Sequence, residues 1–156
     1  MKRDFVSILD WTSEEIRSNL DFAVELKQQT KEGKCPQLLQ RKTFGLFFHK
    51  PSLRTRLSFE VGIAQLGGTA MVLSEQDFKI GERETVSDVA RVMSRYVDGI
   101  LIRTYSHQMV LDLAKYSTVP VVNMLTDFNH PCQVMSDMLT IKEKLGRIDE
   151  VRIAYV

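Results

Sequence analysis

Residues 50–56, Lys-Pro-Ser-Leu-Arg-Thr-Arg, gather on one short turn the groups that hold a phosphate. Ser52 and Thr55 carry hydroxyls, and Arg54 and Arg56 carry guanidinium groups that can each grip two phosphate oxygens. An apolar run over 44–48 precedes them, and a helical pattern with Leu57, Val61 and Ala64 follows. The segment therefore reads as a buried strand, a turn and a helix. The open amide N–H groups of a helix's first turn, together with the helix dipole, form an anion site. A small phosphorylated substrate fits that chemistry. The sequence has neither a Gly-Lys-Ser/Thr after a glycine loop nor a Gly-x-Gly-x-x-Gly turn, so arginines take the place of a glycine cradle. Each residue also has a plainer reading. Ser52 is a preferred N-cap, and Arg56 reads as an ion-pair partner for Glu60 one turn on.

Two more segments carry candidates. Arg103 ends the apolar run 99–103, and His130-Pro131-Cys132-Gln133 follows the loop 126–129. Arg103 could simply reach from a strand end to solvent, and a histidine before proline is often bound only to backbone. Their place beside the 50–56 turn favours function. Cys132 falls in a helix's first turn, where a thiol's pKa can drop; packing is the better reading.

The elements that must position these residues follow from periodicity. A helix capped by Thr12 or Ser13 runs to about residue 30, with Ile16, Leu20, Ala23 and Val24 on its apolar side. Strands are expected over 43–48, 69–73, 99–103 and 119–124. Helices are expected after Ser52, around Val86, Val89, Val92 and Met93, over 108–116, and from Pro131 with Val134, Met138, Ile141 and Leu145 inward. Gly67-Gly68 closes the second helix. The polar span 74–84 reads as a mobile loop. Alternating strands and helices give an α/β fold, a three-layer parallel sheet with helices on both faces. Ligands bind such sheets beyond the carboxyl ends of the strands, and Ser52, Arg103 and His130 each fall just after one.

Composition narrows the function further. The 156 residues can bury one core, and 21 basic against 20 acidic residues leave a net charge of +1, which argues against a nucleic-acid or membrane surface. The start lacks an apolar h-region, and two cysteines are too few for a disulfide framework and not spaced for a metal; a cytoplasmic protein is expected.

Taken together, residues 50–56, Ser58-Phe59-Glu60, Gly67-Gly68, residues 98–103 and His130-Pro131-Cys132-Gln133 resemble the motifs of the aspartate/ornithine carbamoyltransferase family, in order and over essentially the whole chain. Cys132 and the run Asp127-Phe128-Asn129-His130 are similar to the ornithine type. The resemblance implies that Ser52, Arg54 and Thr55 hold the phosphate of carbamoyl phosphate, with backbone N–H groups of Leu53, Arg54 and Thr55. It implies that Arg103 bridges phosphate and carbonyl oxygen, that Thr55 and His130 donate to that oxygen, and that Gln133 accepts from the carbamoyl NH2. Pro131 and Cys132 complete the substrate-binding set. Leu53 stands where the family commonly has Thr, which removes one hydroxyl contact. Lys79 reads as either a phosphate ligand reaching a neighbouring subunit or a solvated loop lysine. No cofactor or metal is implied.

The resemblance also sets expectations for the whole protein. Residues 1–148 form the carbamoyl-phosphate-binding domain, and residues 149–156, an apolar strand over 151–156, open a truncated amino-acid-binding domain. The chain then holds half an active site: it binds carbamoyl phosphate but, alone, produces no citrulline. The full protein is expected to be a homotrimer or a multiple of one. Other amine acceptors (aspartate, acylated ornithine, putrescine) and a non-catalytic phosphate-ligand-binding module are the alternatives.

Overall fold

The computed structural model describes residues 2–74, 80–81 and 84–154. Among the described residues, after a short 3-10 turn (Ile8–Asp10), five α-helices alternate with four strands: α1 (Ser13–Lys31), β1 (Thr43–Phe48), α2 (Leu53–Gln65), β2 (Thr69–Ser74), α3 (Val86–Met93), β3 (Gly99–Arg103), α4 (His107–Tyr116), β4 (Val121–Leu125) and α5 (Pro131–Leu145). All strands are parallel, in the order β2-β1-β3-β4. Side chains of a strand alternate between faces, and here both faces are covered. Phe47, Ile100, Ile102 and Val121 pack with Val89 and Ala90 of α3 and Val110 and Leu113 of α4. Leu46, Phe48, Leu101 and Met124 pack on the other side with Phe59 and Ile63 of α2. Helix α5 lies against β4, and α1 against α5. The expected α/β architecture holds.

The strand order creates the site. From β1 the chain enters α2 on one face, and from the adjacent β3 it enters α4 on the other. Neighbouring strands whose connections leave in opposite directions open a crevice between their carboxyl ends. Ser52 and Arg103 flank it.

Several local details differ from the periodic reading. The β4 ladder starts at Val121, because Pro120 has no N–H to give and serves only as an acceptor for Ile100. In α2 the stripe Leu53, Leu57, Val61 faces outward, with Leu57 53% and Val61 49% exposed, while Phe59 and Ile63 fill the core. In α3 Val92, in α1 Val24, and in α5 Val134 and Leu145 are likewise on the outside. In each case apolar residues outnumber the positions a single inner face can take, and periodicity alone does not choose among overlapping stripes. Within the expected loop 74–84, Ser74 still belongs to β2, and Ile80 is buried in the core and bridges to Glu84. Residues 75–79 and 82–83 lie outside the described residues.

Residues 151–154 form no strand, since none of the described strands is paired with them, and a ladder needs a neighbour. At the other end, Phe5 pairs in parallel with Val122: its N–H donates to Val121 O and its carbonyl accepts from Asn123 N–H. This segment covers the β4 edge and was not legible from periodicity. Gly67, at φ +85°, closes α2, and a Cβ there would also run into Gln37.

Candidate active site

A cleft of about 710 Å³ lies between the N-termini of α2 and α5 and the end of β3. Ser52, Leu53, Arg54, Thr55, Arg103, His130, Cys132 and Gln133 all line it. Pro131, the fully buried first residue of α5, anchors that helix behind the lining. Lys79 lies outside the described residues.

Ser52 has extended backbone and caps α2, its Oγ accepting Thr55 N–H at 3.3 Å. That bond commits the Thr55 amide, so the first-turn amides of Leu53 and Arg54 are the ones left open. Thr55 Oγ1 accepts from Arg103 Nη1 at 3.2 Å, which leaves the threonine proton available to donate. Arg103 Nε is buried with no acceptor among the described residues. A buried guanidinium N–H without a partner is costly unless an anion arrives to take it. Arg54 is exposed at the cleft mouth and makes no ion pair among the described residues, whereas Arg56, two residues on, is tied to Glu60 at 2.5 Å and lies outside the cleft. The pairing of Arg56 with Glu60 is the one expected from their spacing.

On the opposite wall His130 caps α5. Its Nδ1 accepts Gln133 N–H at 3.4 Å. A ring nitrogen that accepts carries no proton, so the neutral imidazole bears its hydrogen on Nε2. Burial, and next the nearby Arg103 charge, hold the His130 pKa below its ordinary value, against a smaller opposing pull from Asp137. The ring is therefore a neutral donor. Gln133 donates Nε2–H to Asp137 at 2.9 Å, which leaves its Oε1 as a free acceptor. Cys132 donates to the Asn123 carbonyl at 3.3 Å, and burial pushes its thiol up to about 12. A thiol so disposed packs and does not attack.

The turn that presents His130 rests on residues the motifs do not contain. Thr126, buried, accepts N–H groups of Phe128 and Asn129 at 3.3 and 3.2 Å. Asn123, fully buried in β4, donates to Asn129 Oδ1 at 2.6 Å and to the Val6 carbonyl at 3.0 Å. A bulge at Met124, where Ile102 pairs with Asn123 but Arg103 pairs with Leu125, shifts the register at the end of the strand that leads into this turn. An asparagine inside the apolar run Val121-Val122-Asn123-Met124-Leu125 was the one sequence signal for this support.

The arrangement offers two guanidinium groups, open amides and hydroxyls for a phosphate. Beside them sit neutral donors from Thr55 and His130 and an acceptor from Gln133, the set for a carbonyl with an attached NH2.

Comparison with known proteins agrees. Residues 3–143 match the family described as aspartate/ornithine carbamoyltransferase, carbamoyl-P binding domain. The chain is 49% identical over 154 residues to ornithine carbamoyltransferase of Symbiobacterium thermophilum, covering 99% of this chain and 50% of that protein. It is 51% identical to the anabolic enzyme of Pyrococcus furiosus, covering 99% and 49%. The solved Pyrococcus furiosus structure superposes with a TM-score of 0.94 at 52% identity, covering 96% of this chain and 48% of that one. An acetylornithine transcarbamylase complexed with acetylcitrulline superposes at 0.84 with 35% identity, covering 95% and 49%. The chain spans about half the length of the curated relatives it matches. By family match and by fold, the chain belongs to the aspartate/ornithine carbamoyltransferase family, as its carbamoyl-P binding domain.

Proposed function

We propose that this chain is the carbamoyl-phosphate half of an ornithine carbamoyltransferase, with residues 1–148 as that domain and 149–156 opening the amino-acid-binding domain. The observation that carries the reading is the division of hydrogen-bonding roles within one cleft. Arg54 and the buried Nε of Arg103 await an anion, while Thr55 and His130 have their acceptor sites filled and their protons free. Arg54, Ser52 and the amides of Leu53 and Arg54 take the phosphate. Arg103 bridges the phosphate and the carbonyl oxygen, Thr55 and His130 donate to that oxygen, and Gln133 Oε1 takes the carbamoyl NH2.

The neutral side-chain amine of ornithine attacks the carbonyl carbon, and a C–N bond forms as the carbonyl becomes an oxyanion. Donors already in place stabilise that charge without reorganising; losing one typically costs about 100- to 1,000-fold in rate. Collapse breaks the C–O bond to phosphate. The amine's surplus proton leaves with the phosphate, giving citrulline. Holding the acid anhydride by several contacts also fixes its carbonyl face toward the amine.

Ornithine as the acceptor rests on the relatives at about 50% identity. Self-association, expected as a homotrimer or a multiple of one, is supported by the outward Leu57 and Val61 of α2, apolar surface that a partner would cover. A cytoplasmic setting fits the sequence, and no described helix is long and apolar enough to cross a membrane.

Calorimetric titration with fresh carbamoyl phosphate and, separately, inorganic phosphate tests the half-site. Binding by the chain and its loss in Arg54→Ala are expected. No binding by either the chain or the full-length protein overturns the reading. Carbamoylation by the full-length protein of ornithine to citrulline, and not of acetylornithine to acetylcitrulline, tests the acceptor; the 156-residue chain alone should carbamoylate neither, because it lacks the closure that excludes water.

A further inference from the structure

Lys50 belongs to the 50–56 motif, yet it does not line the cleft. Its side chain is only 17% exposed, which is unusual for lysine, and its ammonium is engaged outside the cleft. Nζ pairs with the Asp127 carboxylate and lies 4.1 Å above the Tyr105 ring. These three residues come from three different connections: β1 to α2, β3 to α4, and β4 to α5.

Backbone bonds show why they meet. Beyond the end of β1, His49 N–H donates to Arg103 O, and His49 Nδ1 lies 3.0 Å from Thr104 Oγ1. Beyond β3, Thr104 N–H donates to Leu125 O and Asp127 N–H to Tyr105 O. The sheet's pairing therefore continues past the strands, and Lys50, Tyr105 and Asp127 form its last rung. The three segments in that rung also carry Ser52 with Arg54 and Thr55, then Arg103, then His130.

We propose that Lys50 is a positioning residue: its joint contact with Tyr105 and Asp127 locks the three connections in the register that assembles the carbamoyl-phosphate site. A cation is suited to the task, because it satisfies a carboxylate and a ring face at once. It also neutralises Asp127, whose negative charge lies three residues from His130 and would oppose an incoming phosphate. The inference rests on the carbamoyl-phosphate reading above.

The test compares wild type, Lys50→Met, Lys50→Arg, Asp127→Asn, Tyr105→Leu and the Lys50→Met/Asp127→Asn double variant. Carbamoyl phosphate affinity is measured by calorimetry and unliganded melting temperature by scanning. Lys50→Met should weaken affinity about tenfold, with Asp127→Asn and Tyr105→Leu each weakening it about threefold. The double variant should be no weaker than Lys50→Met alone, because the two residues act as one unit and the uncompensated carboxylate is gone. Lys50→Arg should recover most of the affinity, which lost packing alone would not predict. Unchanged affinity in Lys50→Met overturns the proposal, and so do single losses that multiply in the double variant. Asp127→Asn is an isosteric change at a residue 64% exposed, so it folds and keeps the test open if Lys50→Met does not. Failure of wild type to bind at all would instead count against the half-site itself.

Discussion

Two strand–turn–helix units face each other across the cleft, and they are built on opposite plans. In both, a residue of the site caps the helix: Ser52 for α2 and His130 for α5. The turn before α5 is held by a hydrogen-bond network, with Thr126, Asn129, Asn123 and Val6 linked behind His130. The turn before α2 leaves Arg54 exposed and without an ion-pair partner among the described residues. The contrast follows from what each side must do. A guanidinium gains strength from charge and can be ordered by its ligand as it binds. A neutral imidazole gains only when its proton already points at the developing oxyanion, so its turn is fixed in advance.

Substitutions on the two sides should therefore fail in different currencies. Arg54→Ala should lower affinity for carbamoyl phosphate about 100-fold, as loss of a charge-assisted bidentate contact implies. It should leave unfolding by urea unchanged, since the side chain makes no ion pair among the described residues. Thr126→Val should do the reverse. It strips two backbone N–H groups of their acceptor and should cost about 1–3 kcal/mol in urea unfolding, with affinity falling because His130 is released. A destabilised Arg54→Ala, or a fully stable Thr126→Val, breaks the comparison.

The pH response sharpens it on the α5 side. Burial and Arg103 depress the His130 pKa below its ordinary 6.5, so the folded chain favours the neutral ring. Below pH 6.5 the unfolded chain takes up a proton that the folded one resists. The His130 contribution to stability is thus complete above pH 6.5 and is lost as pH falls through the folded value. Protonation also removes the Nδ1 lone pair that caps α5. Melting temperature against pH should fall more steeply below 6.5 in wild type than in His130→Asn; parallel curves would show that the ring is not held neutral. A related, smaller effect concerns Cys132. With its thiol pushed to about 12, it should escape alkylation by iodoacetamide at pH 8 in the folded chain and react once unfolded in urea, as peptide mass spectrometry would show.

How much of this was written in the sequence follows the same divide. The strand–turn–helix with Ser52 as its cap, the strand ends and the pairing of Arg56 with Glu60 were legible, because each depends on neighbours close in sequence. The strands and helices that formed have bounds within about two residues of those expected, whereas the strand expected over 151–156 has no counterpart in residues 151–154. The support for His130 was not legible. Asn123 meets Val6 across 117 positions, and Lys50 meets Asp127 across 77, contacts that only the strand order brings together. Helix faces fell between the two: periodicity marked a stripe along Leu57 and Val61, but the choice of inner stripe belonged to Phe59 and Ile63, which the sheet selected.

Arg56 supplies the finest test, because it sits two residues from Arg54 on the same helix. Its guanidinium is 2.5 Å from Glu60, one turn along, with both side chains substantially exposed. Exposed pairs of this spacing contribute about 0.3–0.5 kcal/mol, reduced further by salt. Arg56→Ala should therefore shift urea unfolding by no more than that and leave carbamoyl phosphate affinity as in wild type. The two arginines carry the same charge at nearly the same distance along the chain. If Arg56→Ala weakened binding as Arg54→Ala does, the α2 terminus would be acting as a diffuse positive field. If only Arg54→Ala does so, the phosphate is held by one geometrically placed fork, and the internal pair with Glu60 is what keeps the second arginine out of the site.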